Sequence, residues 1–311
     1  MLQRLRGLDY GYKTQTLATP QGFEFVIHEK SPKKNTIKMF AGRFRLETIT
    51  DVKFVNDTTI VAGNRDQKLL YLLRVDLQKK TCSIIDRVVL KFDGKNPMPV
   101  TLICVDGNRL YTTFINNKIG VVDIVGDKLV LRGMYSLGNV LHSFHGMTIH
   151  NDKVYYSSSQ AQPGLVILDK PTNVATHVLL PGMEEIHLKQ TRVLGEYLVA
   201  NGTTGSISDQ DLYSTYDGYV GVFKRDTFEC VDLLHLPGSQ MDDICVYDNH
   251  IYFIRQGSEP YGQVFKYSIQ DGKLVKEHEY RVGQFPHGLD IRNGWMACSS
   301  MKNESIQFFR I

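Results

Sequence analysis

Histidine and carboxylate residues recur in this chain at a wide but steady spacing. His145 and His287 each open a His-Gly-aliphatic phrase, and Asp242 and Asp243 open a comparable phrase between them. Imidazole and carboxylate together suit a divalent ion that polarises a carbonyl or activates water. The candidate metal ligands are His145, His287 and one of the two adjacent aspartates, with Asp243 preferred; the candidate acid–base groups are His145, His287 and Glu185. Thr50, Asp51, Thr101, Lys189 and Asp242 stand at equivalent places and form a candidate ligand-binding set. One divalent metal ion is the cofactor these residue types suggest. The same histidines also fit the role of hydrogen-bonded space fillers, and both readings stand at this level.

Residues so far apart share a site only if a repeated element returns each to the same place. One phrase does this: a short strand, a polar turn and a second strand. The segments 145–155, 242–252 and 287–297 align without a gap. Segment 101–111 fits the same template, 50–60 fits with one extra turn residue, and 189–199 fits more loosely. The six starts step by about 47 residues, close to the ~40–50 of a propeller blade. A third strand follows at 164–169, 221–224 and 263–267, and a fourth at 175–180, 230–235 and 275–280. Asn56-Asp57, Asp106-Gly107, Asn151-Asp152, Asp248-Asn249 and Asn293-Gly294 supply the left-handed backbone that tight hairpins demand. The pattern predicts an all-β, six-bladed β-propeller of four-stranded blades, a single domain over residues 1–311 with blade starts near 50, 101, 145, 189, 242 and 287. In such a ring the innermost strands begin at the axial funnel. Thr50, Thr101, His145, Lys189, Asp242 and His287 therefore converge there, with Asp51 and Asp243 one position on.

A propeller must also hide the open edges of its first and last blades. The last repeat ends on 304–311 as a third strand with no fourth after it. Segment 35–40 has the length and pattern of a fourth strand, so an N-terminal strand is expected to complete the last blade and close the ring. Residues 1–34 form an N-terminal extension in which 23–28 alternates like a strand, either as an added edge or as a plug. The longest insertion, 201–219, joins the second and third strands of blade 4 and should overhang the funnel, as functional loops on a rigid scaffold do. Its Tyr213 and Tyr216, with Tyr261 in the neighbouring loop, make a surface able to stack on a sugar or grip a peptide. Asp209, Asp211 and Asp217 approach a calcium-loop spacing but lack the glycine and glutamate of an EF-hand.

The openings Phe285-Pro286-His287-Gly288-Leu289 and Phe144-His145-Gly146-Met147 resemble the innermost-strand opening of the NHL, YVTN and SMP-30-like propellers, where a Pro-x-Gly-aliphatic phrase recurs. The resemblance implies the same architecture over nearly the whole chain and, through the SMP-30-like lactonases and lyases, a divalent ion in the funnel. Those lactonases hold calcium with carboxylates and asparagine, and no such asparagine falls at the funnel here. No Gly-His…Trp-Asp pair repeats, which disfavours a WD40 repeat, and paired glycines of the kelch type are absent. Serine-elbow, zincin, phosphate-loop and dinucleotide motifs are absent as well. Two functions follow. One is a binding propeller that holds a polar small molecule, a glycan or a protein segment at its funnel and loop face; the other is a metal-dependent lactonase, lyase or hydrolase.

Composition narrows the partners. Hydrophobic residues make up 42% and charged residues 22% of 311, the balance of a globular chain with a sizeable core. The net charge of +3 is spread along the chain, so nucleic acid is not expected as a partner. No apolar run approaches the ~18 residues of a membrane span, so no membrane partner is expected either. Residues 1–6 lack the apolar core of a secretory signal, and Cys82, Cys104, Cys230, Cys245 and Cys298 are widely spaced without a C-x-x-C pair. A cytoplasmic location with reduced core cysteines is the expectation.

Overall fold

The computed structural model describes residues 13–19, 22–28, 49–65, 68–92, 96–97, 100–114, 118–136, 144–158, 163–204, 216–256, 261–300 and 305–311, all of them in strands, turns and connections. No helix among them is long and apolar enough to cross a membrane.

The hairpins form where turn chemistry demands. Gly107 (φ 58°), Asn151 (φ 51°), Asp248 and Asn249 (φ 49° and 58°), and Asn293 and Gly294 (φ 49° and 70°) take left-handed backbone between the first two strands of their blades. The first blade turns differently: the Asn56 side chain accepts a hydrogen bond from the Thr58 amide at 3.0 Å, an Asx turn that absorbs the extra residue of this repeat. Each hairpin then extends outward by two more antiparallel strands, giving six blades arranged as a β-propeller. The innermost strands are Ile49–Asn56, Ile103–Asp106, Phe144–His150, His187–Leu194, Gln240–Tyr247 and Pro286–Arg292 in blades 1 to 6. Each packs on the next, and the sixth packs back on the first.

The core lies between blades, one apolar layer per junction. Phe54 and Tyr71 meet Phe308 between blades 1 and 6, and Leu70 and Leu72 meet Val100 and Leu110 between blades 1 and 2. Leu165 meets Leu198 and Phe223 between blades 3 and 4, Val222 meets Phe253 between blades 4 and 5, and Ile254 meets Phe309 between blades 5 and 6. Between blades 2 and 3, Ile119 and Val121 lie against Met147 and Tyr156. Cys245 and Cys298 are buried in this framework, and the other three cysteines are half-buried.

An N-terminal strand closes the ring, though not the segment expected. Gly22–His28 pairs antiparallel with Ser305–Arg310 and supplies the fourth strand of blade 6, and Lys13–Thr19 adds a fifth outside it. Segment 35–40, read from the sequence as that strand, lies outside the described residues. Segment 23–28, read as an edge or a plug, is the closing strand itself.

Candidate functional site

Regular pleating would send alternate side chains of each innermost strand to opposite faces. At the funnel end five of the six depart from it: the pairing register shifts between Ile49 and Asp51, Phe144 and Gly146, Leu188 and Gln190, Met241 and Ile244, and Pro286 and Leu289. Such bulges re-aim side chains, and these all lie at the aligned column. Glycine after each histidine permits the close approach of the next blade. A Cβ on Gly146 would overlap the Lys189 carbonyl, and one on Gly288 would overlap Asp51.

The upper tier of the funnel is built by His145, Lys189, Asp242 and His287. All four are almost wholly buried, at 9%, 4%, 1% and 7% exposure. The two imidazoles face each other with ring centroids 5.8 Å apart. Nδ1 of His145 lies 3.2 Å from the Lys189 carbonyl, and Nδ1 of His287 lies 2.7 Å from the Thr50 carbonyl. A carbonyl only accepts, so both Nδ1 atoms donate and both Nε2 atoms carry the free lone pair. Burial, reinforced by Lys189 and the neighbouring imidazole, holds His145 well below the usual histidine range. Burial also lowers His287, against the pull of Asp242. Both shifts favour the neutral imidazole.

Asp242 completes the tier. Its Oδ2 accepts a hydrogen bond from Gln256 Nε2 at 2.5 Å, while its Oδ1, 3.8 Å from His287 Nε2, has no hydrogen-bond partner among the described residues. Burial pushes this carboxyl up, opposed by His287 and Lys189. Burial pushes the Lys189 ammonium down, opposed by Asp242 and assisted by Arg65, which stands just past the second strand of blade 1. His145, Asp242 and His287 each offer one ligand atom, and the three atoms lie within 4.8 Å of one another.

Below this lies a second tier that the sequence reading missed. Three residues after each column position, the template gives Lys53, Cys104, Thr148, Arg192, Cys245 and Asp290. Lys53 donates to Asp243, to the Leu289 carbonyl at 2.7 Å and to Asp51 Oδ1 at 2.9 Å. Lys53 belongs to blade 1 and Asp243 to blade 5, so this pair bridges two blades over the innermost strand of blade 6, to which both also bond at Leu289. Arg192 donates to Thr148 Oγ1 at 2.7 Å and to Asp243 Oδ1 at 3.4 Å. Burial pushes the Asp243 carboxyl up, but Lys53 and Arg192 outweigh it and hold the group below its usual range. Burial, with the Asp243 charge adding to it, raises Asp51 despite Lys53. The signal present in the sequence is Lys53, Arg192 and Asp290, three charged residues at one template position, three residues along from the strand heads.

The expected site residues therefore divide. His145, Lys189, Asp242 and His287 come together. Thr50 sits beside them, its Oγ1 donating to the Val100 carbonyl at 2.9 Å, and Thr101 Oγ1 is buried without a partner among the described residues. Asp51 and Asp243 share a different geometry: each accepts from the next amide of its own strand at 2.8 Å and from an amide of the following blade, Ile103 at 2.5 Å and Leu289 at 2.9 Å. Asp242, not its neighbour Asp243, is the carboxylate facing the imidazoles. Glu185 is exposed on the turn before blade 4 and is not part of the group of three. Tyr216 and Tyr261 are half-buried, Tyr261 beneath Arg281 at 4.6 Å, and Tyr213 lies outside the described residues. The stem of the long blade 4 loop does leave at the funnel end, since Thr203 Oγ1 accepts from the Met241 amide at 3.1 Å, one residue before Asp242.

No protein-family model and no curated protein matches this sequence. Solved structures match across nearly the whole chain. The RRP9 WD40 repeats superpose with a TM-score of 0.57 at 10% identity, covering 96% of this chain and 99% of that one. The Cps50 (Swd1) β-propeller domain of Myceliophteria thermophila gives 0.55 at 11% over 86% and 98%. A chain of the Mitotic Checkpoint Complex gives 0.55 at 10% over 89% and 99%. Similarity at this identity shows the propeller fold alone, and it lends no support to the narrower NHL, YVTN or SMP-30-like group.

Proposed function

We propose that this protein is a binding propeller that draws a polar group of its ligand into the axial funnel. A single observation carries the reading. Buried polar side-chain atoms without a partner are costly and rare, yet Thr101 Oγ1, Gln190 Nε2 and Asp242 Oδ1, at the heads of the innermost strands, all lack one among the described residues. Together with Lys189, whose ammonium is buried at the same level, they offer acceptors and donors from three blades to one incoming molecule. The ligand classes that fit are a polar small molecule, a glycan or the polar tip of a protein segment. A propeller neighbour solved within a multi-protein assembly keeps the protein segment among them. The metal-dependent lactonase, lyase or hydrolase reading gains no support from Glu185, which stands outside the cluster.

The test is a thermal-shift comparison of the purified chain against sugars and sugar acids, amino acids and dicarboxylates, and short peptides, alongside Lys189→Met and Asp242→Asn. A ligand present at about 100 times its Kd stabilises by ~2.7 kcal/mol, enough to move Tm by a few degrees. One class should stabilise the wild type and lose that effect in both variants. If no class acts, or the shift survives both substitutions, the funnel is not the recognition site.

A further inference from the structure

We infer that the polar group seated in the funnel includes a first-row divalent metal ion, bound by His145 Nε2, Asp242 Oδ1 and His287 Nε2, with at least one coordination position left open toward Lys189. The inference rests on the funnel being a ligand site and names what occupies its upper tier. Two neutral imidazoles and a carboxylate form a donor set that zinc, iron(II) and their neighbours accept, whereas calcium and magnesium favour oxygen alone.

Three features distinguish this cluster from a chance grouping. First, each imidazole donates its Nδ1 hydrogen to a backbone carbonyl, the outer-shell contact that fixes the tautomer and aims Nε2 at a metal. Second, the carboxylate is held in the same way: Gln256 donates to Oδ2 and also to the Pro286 carbonyl, leaving Oδ1 without a hydrogen bond among the described residues. Third, the ligand atoms already lie within 4.8 Å of one another, with 3.8 Å between His287 Nε2 and Asp242 Oδ1. Bonds of about 2.0–2.1 Å around a tetrahedral ion put ligands about 3.3 Å apart, a contraction that small side-chain rotations supply. A cation bound here adds to Lys189 in compensating the buried Asp242 carboxylate. Lys189 then stands where an exogenous anionic ligand, such as a carboxylate, would bridge ammonium and metal.

The full-length chain, stripped with a chelator, is titrated with Zn²⁺ and with Co²⁺ as the spectroscopic probe. One equivalent should bind. Changes to outer-shell partners cost ~10–100-fold in metal affinity, so His145→Gln, His287→Gln and Asp242→Asn should each cost at least the upper figure. Absence of stoichiometric binding by either ion, or binding of unchanged strength in all three variants, overturns the assignment. Where a variant fails to fold, the wild-type cobalt complex decides: its proton NMR spectrum should show two strongly shifted exchangeable imidazole NH signals, and none or one refutes the site. Polar ligands that still stabilise a chain unable to hold metal would sink this inference alone. Metal binding without any ligand effect would sink the broader reading of the funnel and leave the metal site standing.

Discussion

At the scale of single residues, the axis of this propeller is divided by chemistry into a tier with uncommitted polar atoms and a tier whose charged groups are paired with one another. Lys53 is the hub of the second. Its ammonium contacts Asp51, Asp243 and the Leu289 carbonyl at 5% exposure, and the surrounding charge raises its pKa despite burial. Lys53→Met would leave two buried carboxylates facing each other, and breaking a buried pair in this way costs roughly 3–5 kcal/mol. Denaturant midpoints at pH 7 measure it. Asp51 is already raised in the folded state, and the variant raises it further; a group raised on folding adds stability below its unfolded pKa and loses it as pH rises through the folded value. The penalty should therefore shrink toward pH 4 and grow toward pH 8, and an equal penalty at both would show that Lys53 acts by packing. The column of six polar residues was legible because strands of one template start at one height. Which of two consecutive aspartates faces the funnel was not, because the register shift between Met241 and Ile244 interrupts the alternation that would have told them apart.

At the scale of elements, the His-Gly phrase that gave the sequence its family resemblance has a local mechanical cause. The histidine projects into the funnel from a bulged strand, and the glycine lets the next innermost strand pass without a side chain between them. Gly288→Ala would set a Cβ against the Asp51 backbone and carboxylate, and Gly146→Ala would set one against the Lys189 carbonyl. Neither obstacle is the free end of a flexible chain. Each substitution should destabilise by about 1–3 kcal/mol or more, the usual range for overpacking, and should disturb the adjacent histidine. Calorimetry and the imidazole NMR signals of His145 and His287 check the two effects separately; wild-type stability in both variants would remove glycine from the account of how the funnel is built. Hairpin positions were legible for a related reason: Asn151, Asp248 and Asn293 announce left-handed turns by type alone. Strand ends were less so. The third strand of blade 4 starts at Gly218 and the fourth of blade 5 runs from Lys273 to Val282, both beyond the segments that alternation suggested, because the first is buried almost throughout and the second is largely exposed, so neither alternates cleanly.

At the scale of the whole molecule, the ring stands because six apolar layers close on one another, and the last junction depends on residues from both parts of the chain. Phe308, fully buried, packs with Phe54 and Tyr71 of blade 1, while its strand receives Gly22–His28 along the outer edge, from Gly22 opposite Phe309 to Val26 opposite Ser305. The choice between 23–28 and 35–40 as the closing strand could not be read from pattern, since both segments have strand length and either could reach the edge. Pairing supplies the test. Removing residues 1–30 deletes the fourth and fifth strands of blade 6 and exposes the backbone of Ser305–Arg310, an unpaired edge that templates association. The truncated chain should unfold at a lower temperature than the full chain and should associate in a concentration-dependent way, seen by light scattering after size exclusion. Amide exchange at 305–310 should rise to the rate of an open edge while the core strands of blades 3 and 4 stay protected, since stability is local to contiguous units. A truncated chain that remains monomeric, with 305–310 still protected, would mean that a different segment closes the ring.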